Sequence, residues 1–143
     1  MKYFILIVCC LTAYSAVAQK QGIRGKVVWV SGNQMPGPDR KITEPTGIKR
    51  EIYIYQATTL DQATANNGVF FSAITTTLVK KVRSNKKGKF CVKLPPGEYS
   101  VFVKEPRGLF ANSFDMNNRI QCITVKPGEY ANPVIQVNYE AAY

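Results

Sequence analysis

Between Gly88 and Val103 the sequence reads GKFCVKLPPGEYSVFV, and this segment limits the fold more than any other. Apolar side chains fall on every second position at Phe90, Val92 and Leu94, then again at Tyr99, Val101 and Val103. A period of two fits a strand with one face in a core, and it fits no helix. Pro95-Pro96-Gly97 lies between the runs and cannot continue a central strand, so the chain reverses there.

The same pattern recurs along the chain. Ile23 to Val30 is a first strand, with Ile23, Gly25, Val27 and Trp29 on one face and Arg24 and Lys26 on the other. Glu51 to Ala57 is a second, placing Ile52 and Ile54 opposite Tyr53 and Tyr55, and Leu78 to Arg83 is a third. Asn85-Lys86-Lys87-Gly88 is a turn signal before the fourth. Arg119 to Val125 is a sixth, Lys126-Pro127-Gly128 turns the chain, and Asn132 to Glu140 closes the domain with Ile135, Val137 and Tyr139 in phase. No helical period is sustained anywhere. Seven short strands at this spacing predict an all-β, two-layer sandwich. The long connection Thr58 to Thr77 is read as holding an extra strand that extends the third or packs over the sheet, with Asn66-Asn67-Gly68 as its hairpin turn.

Residues 1–18 are read as a secretory signal peptide. Lys2 provides a positive start, Tyr3 to Leu11 are apolar but too short to span a bilayer, and Ala16-Val17-Ala18 fits a small-x-small cleavage pattern. A lipoprotein reading is disfavoured, because no small residue stands just ahead of Cys9 or Cys10. Residues 19–143 then form one domain, secreted or held in the periplasm or cell envelope, with no transmembrane segment in the mature chain. Cys91 and Cys122 remain. One disulfide between them and two separate thiols are both compatible with their spacing, which is that of neither a redox pair nor a metal site.

The chain of 143 residues contains no histidine. That removes the commonest general base and metal ligand, so Ser-His-Asp, Cys-His and His-ligated zinc chemistry are excluded. Nine scattered acids show no paired-carboxylate pattern. The expectation is therefore a protein that is not an enzyme, with no cofactor and no metal.

Three strings, Gly22-Ile-Arg-Gly-Lys-Val-Val, the Gly88 to Val103 segment, and Ile123-Thr-Val-Lys-Pro-Gly-Glu, resemble carboxypeptidase regulatory-like domains. These belong to the transthyretin-like, or prealbumin-like, group, and the resemblance implies a seven-stranded Greek-key β-sandwich. It also implies that the strands carrying Cys91 and Cys122 lie in opposite sheets. The related hydroxyisourate hydrolases use active-site histidines that this chain lacks. Collagen-binding-protein B-type repeats join a lysine and an asparagine beside a buried glutamate. Here Lys26 and Asn138 lie in the first and last strands, but the matching acid position is Val103, and Glu105 is read as out of phase for the core. The leader and overall style resemble secreted proteins of Gram-negative gut-type bacteria, which implies a bacterial envelope setting.

Net charge is +10, and its distribution matters more than its sum. From Gln62 to Gly97 there is no acid, whereas Lys80, Lys81, Arg83, Lys86, Lys87, Lys89 and Lys93 all fall there. This basic ribbon would attract an anionic glycan, lipid headgroups or an acidic protein face, or else it guards an exposed edge strand. If every strand crosses the sandwich, connections one, three and five emerge together. Arg40, Lys41, Lys49, Arg50, Lys86, Lys87 and Arg107 would then gather near Phe110 and Phe114, either as a contact surface or around aromatics that cap the core. Tyr53 and Tyr55 are read as sugar-stacking rings if exposed, and as cross-strand filler otherwise. No nucleic-acid motif appears, so nucleic acid is not expected as a partner. The function expected is a secreted, noncatalytic binding module for an envelope protein or surface glycan. The alternative is a structural accessory domain of a pilus or outer-membrane assembly without ligand affinity.

Overall fold

The computed structural model describes residues 20–143. Residues 1–18, read as the signal peptide, and with them Cys9 and Cys10, lie outside the described residues. The strands are β1 (Gly22–Asn33), β2 (Thr46–Gly47), β3 (Glu51–Gln56), β4 (Ala63–Asn66), β5 (Phe70–Ile74), β6 (Leu78–Arg83), β7 (Lys89–Lys93), β8 (Gly97–Glu105), β9 (Gly108–Phe110), β10 (Cys122–Val125), β11 (Tyr130–Ala131) and β12 (Val134–Ala142). They form two sheets of 5 and 7 strands, an all-β sandwich. The seven expected strands are β1, β3, β6, β7, β8, β10 and β12, and five short ones are added to them. No helix among the described residues is long and apolar enough to cross a membrane.

The smaller sheet is built on β1. The last strand, β12, runs parallel to it with Val27 opposite Ile135 and Trp29 opposite Val137. A parallel pair needs a long crossover, and here the whole intervening chain supplies it. On its other side β1 pairs antiparallel with β7, Ile23 standing opposite Val92. The larger sheet runs β4-β5-β9-β8-β3-β6, with β10 also on β8. One edge of β8 is shared between two partners: β10 covers Gly97 to Ser100 and β9 covers Val103 to Glu105. Gln121 fills the gap with a positive φ of 39°, accepting from the Val101 amide and donating its Nε2 to the Val101 carbonyl at 2.8 Å.

Between the sheets lie Ile23, Val27, Ile52, Ile54, Phe90, Val92, Leu94, Tyr99, Val101, Val103, Ile135 and Val137, the positions the alternation selects. Tyr99 also closes the Pro95-Pro96-Gly97 corner by donating its hydroxyl to the Pro95 carbonyl at 2.6 Å. Gly88 has φ 80° and its amide neighbourhood touches β1 so closely that a Cβ there would lie 2.0 Å from the Val27 carbonyl oxygen. Only glycine satisfies both demands.

A second apolar cluster lies on the opposite face of the larger sheet: Phe71, Phe102, Ala111 and Ile120, flanked by Tyr53, Tyr55, Ile74 and Leu109. Strand pleating explains the division, since Val101 and Val103 face the first cluster and Phe102 the second. Asn66-Asn67-Gly68 does turn the β4–β5 hairpin, with φ of 57° and 80° at Asn67 and Gly68. The hairpin does not extend β6, however. It joins the far edge of the sheet through β9, where Phe71 stands opposite Leu109.

Two expectations are corrected, and the open pairing of the cysteines is decided. Phe110 is not an exposed rim aromatic; it is fully buried, its ring 5.7 Å from those of Phe70 and Tyr139. Glu105 is buried rather than turned away, because the odd-numbered alternation of Tyr99, Val101 and Val103 simply continues to it. Cys91 and Cys122 are free thiols on β7 and β10, strands of different sheets, so the bridge left open by the spacing is not formed.

Candidate functional site

Cross-strand register on the outer face of the larger sheet assembles a group of cations around one tyrosine. Tyr53 on β3 stands opposite Lys81 on β6 and opposite Phe102 on β8. Two residues beyond Phe102, and therefore on the same face, is Lys104. The Lys81 ammonium lies 4.6 Å from the Tyr53 ring centroid and that of Lys104 5.9 Å. Both distances are within the range of attraction between a cation and an aromatic face. Phe102 supports the floor edge-on to Tyr55 and Phe71, at 5.6 and 5.7 Å.

A row of facing residues continues this face across five strands. Phe71 on β5 is opposite Leu109 on β9, and Leu109 is opposite Lys104 on β8. Glu51 on β3 bonds to Lys104 at 3.7 Å and to Arg83, its partner on β6, at 3.1 Å. Arg83's hydrogen bond, then the nearby Lys104 charge, outweigh partial desolvation and hold the Glu51 carboxyl below its ordinary pKa. An ionised Glu51 spaces the two cations across the row.

Two hollows open on this face. The larger, about 450 Å³, is lined by Tyr53, Phe71, Lys104, Pro106, Arg107 and Leu109 among others. The smaller, about 250 Å³, is lined by Lys49, Arg50, Glu51, Arg83 and Lys104. Lys104 belongs to both. The first is apolar at its floor and cationic at its rim, and the second is almost wholly ionic.

The rim is anchored beneath by a buried carboxylate. Glu105, with its side chain fully shielded from water, accepts from Arg50 Nε at 2.7 Å and from the Tyr139 hydroxyl at 2.8 Å. Arg50 is further fixed by its backbone amide, which donates to Ser84 Oγ at 2.8 Å. Burial of the phenol, and secondarily its bond to Glu105, pushes the Tyr139 pKa up to about 12. Connection one meets connection three close by, for a Cβ on Gly47 would lie 2.0 Å from the Lys87 carbonyl oxygen.

Of the residues singled out in the sequence, Lys49, Arg50, Tyr53, Lys81 and Arg83 come together on this face, and Arg107 lines its larger hollow with its guanidinium 5.2 Å from the Phe70 ring centroid. Lys80 pairs opposite Ile54 and so belongs to the other side of β6. Lys86 and Lys87 are exposed in the turn that Asn85 organises by accepting from the Lys87 and Lys89 amides. Arg40 and Lys41 are exposed on the connection after β1. Phe114 bridges to Ile120 in a segment whose Arg119 pairs with Asp115 and with Glu98, at the start of β8, whereas Arg107 lies beyond the end of that strand. The lysine ribbon thus divides: β6 edges one sheet, β7 edges the other, and Lys89, Cys91 and Lys93 point outward. Lys104 was not singled out, although its even-numbered phase with Phe102 marks it for the tyrosine's face. Charge complementarity equips this surface to hold an extended anion against an apolar floor. The chain matches no family model, no curated protein and no solved structure.

Proposed function

We propose that the chain is a secreted, noncatalytic binding module of the bacterial envelope that recognises an acidic envelope protein or an anionic surface glycan. The observation that carries this reading is the convergence of Lys81, Lys104 and Arg83 on the face floored by Tyr53, Phe71 and Leu109, with Arg107 at the wall of the larger hollow. The absence of histidine from the sequence supports the noncatalytic part. The two-sheet sandwich, with β7 and β10 in different sheets, supports kinship with carboxypeptidase regulatory-like domains.

The test is a glycan array at low and physiological salt beside a pull-down from envelope extract. The reading expects a salt-sensitive partner in at least one arm, lost in an Arg83→Ala/Arg107→Ala double variant; retention by that variant refutes it. A second reading, a structural accessory domain of a pilus or outer-membrane assembly, draws on the outer edge of β12, whose strand partner among the described residues is β1 alone, on its inner side. That edge would accept a partner strand. Under this alternative the pull-down succeeds, no glycan binds, and a proline in β12 abolishes capture.

A further inference from the structure

The two hollows are joined by Lys104, and their line of cations runs across the strands rather than filling a round patch. From Leu109 on β9 to Arg83 on β6 the row covers three strand spacings, about 14 Å. That is longer than one sugar ring. Resting on the binding-module reading above, we propose that this row is a track for a linear acidic glycan, with at least two charged sugars bound at once and Lys104 shared between them.

The chemistry divides along the track. In the larger hollow Tyr53, Phe71, Pro106 and Leu109 offer C–H and ring surface to the flat side of a sugar, and Lys104 stands at the rim for its charged group; Arg107 also lines the wall, its guanidinium 5.2 Å from the Phe70 ring centroid, and Glu105 lines it with its carboxylate turned inward to Arg50 and Tyr139. Ser72 is also at this wall and supplies a hydroxyl. In the smaller hollow Lys49, Arg50 and Arg83 face the next charge. Arg50 is already bound to Glu105 through Nε, and Arg83 to Glu51 through Nη2, so each guanidinium is held in place with other N–H donors free. Glu51 is the one acid lining the smaller hollow, and its carboxylate bridges Lys104 and Arg83 between the two binding positions.

Three other occupants fit less well. Of the exposed large apolar residues, Met35, Ile42, Met116 and Val134 line neither hollow, and Leu78, opposite Tyr55 on β6, is a single apolar side chain beside the cations, too little to anchor a lipid surface. An acidic protein face presents carboxylates on flexible side chains with no flat sugar ring to lie on the Tyr53 and Phe71 floor, and the hexaglutamate arm below tests it. A single-sugar ligand would leave one hollow empty.

The experiment is titration calorimetry of the folded chain with galacturonate, hexagalacturonate, a sulfated hexasaccharide of matched charge, neutral maltohexaose and hexaglutamate. Hexagalacturonate or the sulfated hexasaccharide is expected to bind at least about 100-fold tighter than galacturonate, and the preferred arm identifies the anion. Lys104→Ala should weaken the hexamer about tenfold, whereas Lys89→Ala, on the other sheet, should leave it unchanged. Lys104 is exposed, so its variant tests binding rather than folding, and circular dichroism checks this. Equal affinity for monomer and hexamer, hexaglutamate binding as tight as the hexasaccharides, or equal effects of the two lysine variants would each overturn the track. If no glycan binds but an envelope protein is captured through Arg83 and Arg107, the track fails and the binding-module reading survives. If nothing binds in either assay, both fail.

Discussion

Replacing Arg50 with alanine would leave the Glu105 carboxylate with one hydrogen-bond partner, Tyr139, in a site its side chain shares with no water. Removing one partner from a fully buried ion pair costs about 3–5 kcal/mol, because the remaining charge stays desolvated and unpaired. The Arg50 side chain is 34% exposed, so water already screens part of the pair. We therefore expect a loss of about 2.5 kcal/mol, or a fall of about 1.7 M in the urea midpoint for a slope near 1.5 kcal/mol per M. Glu105→Gln keeps an acceptor for Arg50 and strands no charge, so it should cost about 1 kcal/mol. The informative variant combines them. With the charge gone, Arg50→Ala/Glu105→Gln should be more stable than Arg50→Ala alone, with a coupling energy above about 1 kcal/mol. Equilibrium urea unfolding followed by tryptophan fluorescence of Trp29 reads all three. Additive losses to within about 0.4 kcal/mol, or an Arg50→Ala midpoint indistinguishable from the parent, would refute the stranded-charge account.

The remaining expectations are short. Tyr139 keeps its proton to about pH 12 in the fold against about 10 in an unfolded chain, so the folded state favours the neutral phenol; its contribution is complete below pH 10 and is lost as pH rises from about 10 to 12. Tyr139→Phe should flatten that alkaline fall in thermal unfolding curves, and an unchanged slope would count against the buried phenol. Gly88→Ala and Gly68→Ala place a Cβ at the same φ of 80°, but only the first meets an atom, at 2.0 Å; Gly88→Ala should lower stability by at least about 2 kcal/mol more, and equal losses would contradict the close approach to β1. Alkylation followed by mass spectrometry should label both cysteines without reductant, the exposed Cys91 first. Cys122 should lag because burial raises its thiol pKa, and a mass two hydrogens short of the dithiol form would show a bridge instead.

The fold was legible wherever one face of a strand is apolar and the other polar. Phe90, Val92 and Leu94 alternate with Lys89, Cys91 and Lys93, and nothing else is needed to place them. Legibility failed where both faces are covered. Phe102 is as buried as Val101, because a second cluster packs on the far side of the larger sheet, and on β1 of the smaller sheet Val28 and Val30 are buried beside the expected Ile23 and Val27. Glu105 shows a different failure: its phase marks it as an inward position, but a carboxylate there makes sense only once Arg50 and Tyr139, 55 and 34 residues away, are known to reach it. Candidate-site residues followed the same division. A run of lysines is visible in sequence, yet the run itself is split between two sheets, and Lys104 joins Tyr53 and Lys81 only through the register of β3, β6 and β8.

The central claim is that the outer face of the larger sheet, around Tyr53 and Lys104, is where this protein meets its ligand. Amide chemical-shift mapping during titration with hexagalacturonate at low salt tests it most directly. The account predicts shifts confined to Tyr53, Lys81, Arg83, Lys104, Arg107 and their neighbours on β3, β6, β8 and β9, fading as salt is raised. Shifts that instead collect along β7 or β12, or saturating binding that leaves Tyr53 and Lys104 unmoved, would contradict it.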